Sequence, residues 1–366
     1  MQSSAKPAFS NSKDQQQFYR ELLKKVNRYF RLYGVDKTGH WRMLVKAIII
    51  LVSYFALYGV ILSGVLANSW WWILAYIGLG AATAVIGLSI MHDANHGSFS
   101  RKKWVNKLFG FSMNVVGASA FTWKLQHNVL HHTYTNVHGM DEDIQGRGLF
   151  RFSPDSPKRK IHRFQHIYAF LFYAFLTLSW TFSGDFARMK RYKKMGLIAQ
   201  AKSSYKREMT ILVASKVGYM VYILVIPILF TSMAWWQPVV GFVVLHAVAG
   251  LVLSLIFQPA HVEESTSFYQ PDENNKLPEA WAVHQLLTTS NFAMRSRWFT
   301  WLIGGLNYQI EHHLFPHVSH IHYRKLSKIV RRTAADFNLP YNSRRTFVGA
   351  VYHHLRLLRH LGRATA

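Results

Sequence analysis

Gln126–His127–Asn128–Val129–Leu130–His131–His132–Thr133–Tyr134–Thr135–Asn136 is the stretch that orders the rest of the chain. Read as a helix, it places His127 and His131 four residues apart and therefore on one side. His132 is rotated by about 100° from His131, so the adjacent pair can serve two different metal ions. A solvated polar face would also tolerate three imidazoles so close together, and a lone H-x-x-x-H is weak evidence for a metal. Two further clusters tip the balance: His92–Asp93–Ala94–Asn95–His96 and Gln309–Ile310–Glu311–His312–His313. Three clusters in one chain predict a metal centre.

The 366 residues would ordinarily make two or three domains, but long uncharged runs predict one membrane-embedded body instead. The net charge of +26, with 15% aromatic residues, is a profile shared with nucleic-acid binders. Here the basic residues fall between apolar runs and form no recognisable nucleic-acid module. The expected electrostatic partner is anionic membrane lipid, not nucleic acid. The chain has no cysteine, which excludes disulfides, a thiolate zinc site and an iron–sulfur cluster held by this chain. Any metal must be held by nitrogen and oxygen.

Residues 1–41 read as a cytoplasmic N-terminal segment with no cleavable signal peptide visible. Within it Phe18, Leu22, Val26, Tyr29 and Phe30 recur at helical spacing among basic residues. That pattern suits an amphipathic helix lying on a membrane, or equally one packed on the protein's own cytosolic face. Ala47–Ala67 and Ser69–Met91 have the length and composition of spans, and Trp70–Trp72 mark the uncharged turn between them. Val217–Trp236 and Gln237–Ala260 repeat the arrangement, with Trp235 and Trp236 at the turn. Leu108–Thr122 is too short to cross. A basic loop from Arg147 to Arg163 follows the acidic Asp141–Glu142–Asp143. Ile167–Gly184 has basic residues on both sides and is expected to dip into the interface without crossing.

Four crossings in two hairpins bring both termini, all three clusters and His261 to the cytoplasmic side. The candidate ligands are then His92, His96, His127, His131, His132, His261, His312 and His313. Eight imidazoles exceed what one transition metal accepts, so two ions are expected. A closed-shell zinc site would be structural, and imidazole suits iron as well. Asp93, Glu264 and Glu311 are expected to orient imidazole N–H groups. His246 lies too far back along its helix to join and should hydrogen-bond inside the bundle. His138, His317, His320 and His322 are expected to support the site, and His40, His162, His166, His284, His353, His354 and His360 to lie at the surface.

The strings HDANHGS, QHNVLHHTYTN and QIEHHLFP resemble the three histidine boxes of the membrane fatty acid desaturases, and the likeness extends from about Arg42 to Tyr341. Gln309, opening the last box, resembles the front-end subgroup, which inserts a double bond between an existing one and the carboxyl end. The chain is similar to the bacterial linoleoyl-CoA or delta-6-type group, but has no HPGG haem-binding string of a fused cytochrome b5. His261 matches a histidine of the animal acyl-CoA enzymes, while Phe257 stands where their asparagine would be.

The resemblance implies an all-α integral membrane protein whose cytoplasmic helical cap carries two iron ions, with dioxygen as co-substrate. It implies a fatty acyl substrate, as acyl-CoA or phospholipid, and a separate electron donor such as ferredoxin or cytochrome b5 with its reductase. The desaturase domain would be residues 42–341, followed by a basic tail at 342–366, in a bacterial inner membrane with both termini cytoplasmic. Gln309, four residues before His313, is a candidate to act at the reacting oxygen. A membrane hydroxylase of the alkane or sterol type would use similar clusters and release an alcohol. A non-catalytic metal receptor or a transporter is disfavoured by the absence of charge in the centres of the expected spans.

Overall fold

The computed structural model describes residues 6–146 and 148–364, without the side chain of His40. Arg147, at the head of the expected basic loop, and both extreme ends lie outside the described residues. The regular structure is helical, with turns and loops between the helices, apart from a two-residue parallel pairing of Asn291–Phe292 with Ser343–Arg344 and isolated bridges.

Among the described residues, four single helices are long and apolar enough to cross a membrane: Trp41–Leu62, Trp71–Asn95, Tyr205–Phe230 and Trp236–His261; the bent pair Lys160–Ala174 and Leu176–Lys194 meets the same requirement when taken together, which would make five. The four single helices match the four expected spans, but two begin earlier than their uncharged runs. Trp41–Leu62 takes in Lys46, and Tyr205–Phe230 takes in Lys216. Both lysines are buried, at 3% and 6% exposure. Lys216 is matched inside the protein: its Nζ donates to Asp185 Oδ2 at 2.7 Å and to the carbonyls of Gly117 and Trp180 at 2.6 and 2.9 Å. A satisfied cation extends a helix through apolar surroundings where an unpaired one would end it. Lys216 therefore lies near the middle of its helix, where no charge is expected from the sequence, while Lys46 lies near the start of its own.

The chain divides into two compact units. One comprises 40–125 and 170–255 and holds most of the span residues; the other comprises 1–39, 126–169 and 256–366. In the span-rich unit, a Cβ at Gly80 would meet the Leu245 carbonyl at 2.5 Å, and one at Gly241 would meet the Tyr76 ring at 2.4 Å. Glycine permits these backbones to approach so closely. His246 hydrogen-bonds Tyr219 Oη at 2.9 Å and Thr177 Oγ1 at 3.0 Å, the internal role expected of it. The apolar piece after Leu108 is broken into Lys103–Gly110, Ser112–Val115 and Ala120–Lys124. Gly117, at φ +89°, makes the turn before the last of them. Around Ile167–Gly184 the structure has two helices, Lys160–Ala174 and Leu176–Lys194, bent by 57°.

The other unit settles the N-terminal alternatives. Lys13–Tyr33 is one helix, closed by Gly34 in the left-handed conformation. Its apolar stripe, Phe18, Leu22, Val26 and Phe30, is buried against Leu326, Val330 and Ala334 of the Tyr323–Asp336 helix. Each such side chain contributes roughly 1.5–3 kcal/mol of burial. The stripe thus meets the protein's own core and not a lipid surface.

Candidate metal centre

The histidine stretch departs from an α-helix. After Ala120–Lys124 the chain widens into a π-helix, Leu125–His131, and His132 N–H donates to the His127 carbonyl at 2.9 Å. Bonds of the i→i+5 kind set His132 over His127, with their Nε2 atoms 3.2 Å apart. The winding is thus π and not the expected α, while His131 and His132 still fall into different groups of ring nitrogens, as their expected rotation implied. A second π segment, Ile86–Met91, leads into His92 in the other unit.

Within the unit that carries boxes two and three, the imidazoles converge. His131, His261 and His313 each bring one ring nitrogen within 4.8 Å of the others, and His132, His312 and His313 do the same. His313 belongs to both groups. His127 stacks on His131 and on His312, with ring centroids 5.2 and 5.9 Å apart. All of them are buried, His131 and His313 completely. Gln309 is buried too. Its amide donates to the Leu306 carbonyl at 2.8 Å, and its side chain stands beside the His261 imidazole.

Four of these rings, those of His131, His261, His312 and His313, are aimed from behind. Asp141 Oδ2 lies 3.0 Å from His131 Nδ1, and Asp143 stands 3.5 Å from the same atom. Burial opposes a charge on His131, but the two carboxylates outweigh it and raise its pKa; Asp141 is held below the usual carboxylate range by His131 and by the backbone N–H groups of Asp143 and Asn136, against the effect of its own burial. His313 Nδ1 meets Gln285 Oε1 at 2.8 Å, and His312 Nδ1 shares a hydrogen bond with the Tyr323 hydroxyl at 3.2 Å. His261 Nδ1 faces the Thr288 carbonyl at 3.4 Å. With Nδ1 engaged, His131 Nε2 is buried with no hydrogen-bond partner. A buried nitrogen left so is costly unless something binds it. The donor set is imidazole, without thiolate, and fits a first-row transition ion.

In the span-rich unit, His92 and His96 have their rings 4.7 Å apart, each packed on Trp123. Asp93 Oδ1 lies 3.5 Å from His92 Nδ1.

The other two carboxylates were misassigned. Glu264 is partly exposed and pairs with His353 and Arg356. Glu311 is buried, but it accepts from Asn291 at 2.8 Å and Tyr341 at 3.0 Å, and burial pushes its pKa up to about 7. Asp141, Gln285 and Tyr323 do the orienting instead, and only the first had a signal in the sequence, its nearness to the second cluster. Three histidines expected at the surface are interior: His162 at 1% exposure, His284 and His354 at 0%. His284 bonds the Thr135 carbonyl and His354 the Val262 carbonyl, so they brace the fold.

The profile of the family described as fatty acid desaturase matches residues 68–345. The chain belongs to the fatty acid desaturase family. Among the relatives of this desaturase is the sn-1 linoleoyl-lipid 6-desaturase of Arthrospira platensis, 35% identical over 91% of this chain and 89% of that protein. The enzyme of the same name from Synechocystis is 32% identical over 95% and 96%. The acyl-lipid (8-3)-desaturase of Physcomitrium patens is 33% identical over 95% of this chain and 72% of its own length. The protein is thus a membrane fatty acid desaturase, with buried histidine clusters fit to bind metal.

Proposed function

We propose that this desaturase is a front-end enzyme that introduces a cis double bond into a lipid-esterified acyl chain, between an existing double bond and the carboxyl end. The two convergent imidazole groups that share His313 carry this reading, together with the linoleoyl-lipid 6-desaturases among the relatives. The proposed ligands are His127, His131, His132, His261, His312 and His313, with His92 and His96 assigned from the first box, for two iron ions. Bound there, iron would supply the one-electron redox chemistry that an unactivated C–H bond requires and acid–base side chains cannot.

Overall, two hydrogens leave adjacent methylenes, two electrons and two protons enter, and one dioxygen becomes two waters. The chain's own residues do the positioning. Asp141, Gln285 and Tyr323 fix the rings of His131, His313 and His312, while burial keeps bulk water from the reacting carbons. Gln309 is proposed to act beside His261, where its carboxamide orients that ring or faces the reacting oxygen. Two spanning hairpins place both termini and the centre in the cytoplasm, and electrons come from a separate ferredoxin or cytochrome b5.

Expression in a host supplied with linoleoyl lipid tests the reading. The expected product is a triene whose new bond lies on the carboxyl side of the existing pair, absent with His313→Ala. A hydroxylated product, or a new bond on the methyl side, would overturn it.

A further inference from the structure

The Lys13–Tyr33 and Tyr323–Asp336 helices pack by their apolar faces, and what they leave outside is almost wholly cationic. Together they carry eleven basic residues against three acidic ones. Two of those acids are taken by ion pairs, Glu21 with Lys24 on its own helix and Asp336 with Lys25 across the two helices. A groove between the helices is lined by Lys25, Arg28, Ile329, Arg332, Ala335 and Asp336. Arg324, Lys328 and Arg331 are exposed alongside it.

Two observations say what this surface faces. First, the large apolar side chains exposed on these helices, Leu32 and Tyr33, are confined to the last two residues of the first helix, and none lies between 13 and 31 or between 324 and 336. An interfacial membrane helix needs such side chains to insert, and between those bounds the exposed residues other than Ala335 are polar and mostly basic. Second, the basic helix begins at Tyr323, whose hydroxyl holds His312 Nδ1 at 3.2 Å. The buried start of the helix is therefore one side chain away from a candidate metal ligand, and Arg324 is the next residue along the chain. Cationic surfaces of this kind steer acidic partners and fix their register.

We infer that the face formed by Arg28, Arg324, Lys328, Arg331 and Arg332 is the docking surface for an acidic one-electron carrier protein, which delivers electrons next to His312. The inference rests on the redox reading above. Each docking oxidises the carrier by one electron, and two such deliveries meet the need of one double bond.

The test uses the full chain in nanodiscs of zwitterionic lipid, with a plant-type [2Fe–2S] ferredoxin of net negative charge as the probe. Binding should weaken between about 50 and about 200 mM salt, as screening shortens the reach of the charges. Reversing Arg324, Lys328, Arg331 and Arg332 to Glu should weaken it by about tenfold or more and flatten the salt dependence. Replacing the three arginines with Lys should preserve most of it. Desaturation driven by the ferredoxin should fall with the reversed variant, while that driven by a small chemical reductant stays at the wild-type level. Unchanged ferredoxin binding in the reversed variant would overturn the inference. So would a variant that loses only its affinity for vesicles containing anionic lipid. If the wild type makes no alkene with either reductant, the desaturase reading fails, and the binding result still decides the surface.

Discussion

Replacing Lys216 with Met would leave a carboxylate buried without its principal cation. Asp185 is 1% exposed and receives Lys216 Nζ at 2.7 Å and Thr122 Oγ1 at 2.9 Å. The same ammonium holds the carbonyls of Gly117 and Trp180, so three acceptors lose a donor at once. Breaking one side of a buried ion pair costs about 3–5 kcal/mol. Arg188, 3.8 Å from Asp185 Oδ1, offsets part of this, and Thr181 still donates to Gly117, so the lower end of that range is expected. Removing both charges in Lys216→Met/Asp185→Leu should recover most of the loss, because no uncompensated charge remains. The assay is unfolding of the purified protein in detergent, followed by tryptophan fluorescence. The network also holds Thr122, next to the Trp123 that packs on His92 and His96, so the single variant should bind metal more weakly. A single variant as stable as the wild type, or a double variant as unstable as the single changes summed, would refute the reasoning.

Asp141→Asn should lower metal affinity by about 10–100-fold, read by chelator competition, because it removes the carboxylate that fixes the His131 ring. Gln309→Ala should lower turnover strongly. Loss of one metal would place Gln309 among the ligands, whereas full occupancy would leave it as the residue that orients His261. His354 has its pKa lowered by burial from 6.5 to about 4. It folds neutral while the unfolded chain takes up a proton first, so its contribution is complete above about pH 6.5 and is lost as pH falls toward 4. A His354→Gln variant should show a shallower loss of stability over that window in pH-dependent melting.

The clustering of the histidines was legible because metal chemistry of this kind needs one residue type in short, dense groups, and the structure buries those of the second and third clusters together. The residues that aim them were not. Gln285 reaches His313 across 28 positions and Tyr323 reaches His312 across 11, and nothing in their local patterns marks either. The four single long helices followed from apolar length, but the starts of two did not, because Lys46 and Lys216 read as charged boundaries until their burial is known. The π-winding at Leu125–His131 was hidden for a related reason. An i→i+5 register changes which histidines share a face without changing the sequence pattern. His284 and His354 were misplaced at the surface because their carbonyl partners come from distant segments. The N-terminal stripe was legible as amphipathic, but only its partner helix decided what it packs against.

Quantifying the metal in the purified chain by mass spectrometry tests the central claim most directly. Two irons per wild-type chain are predicted, with occupancy lost at both positions in His313→Ala, since His313 lies in both nitrogen groups. A chain that holds a single zinc, or that keeps both irons without His313, would contradict the account.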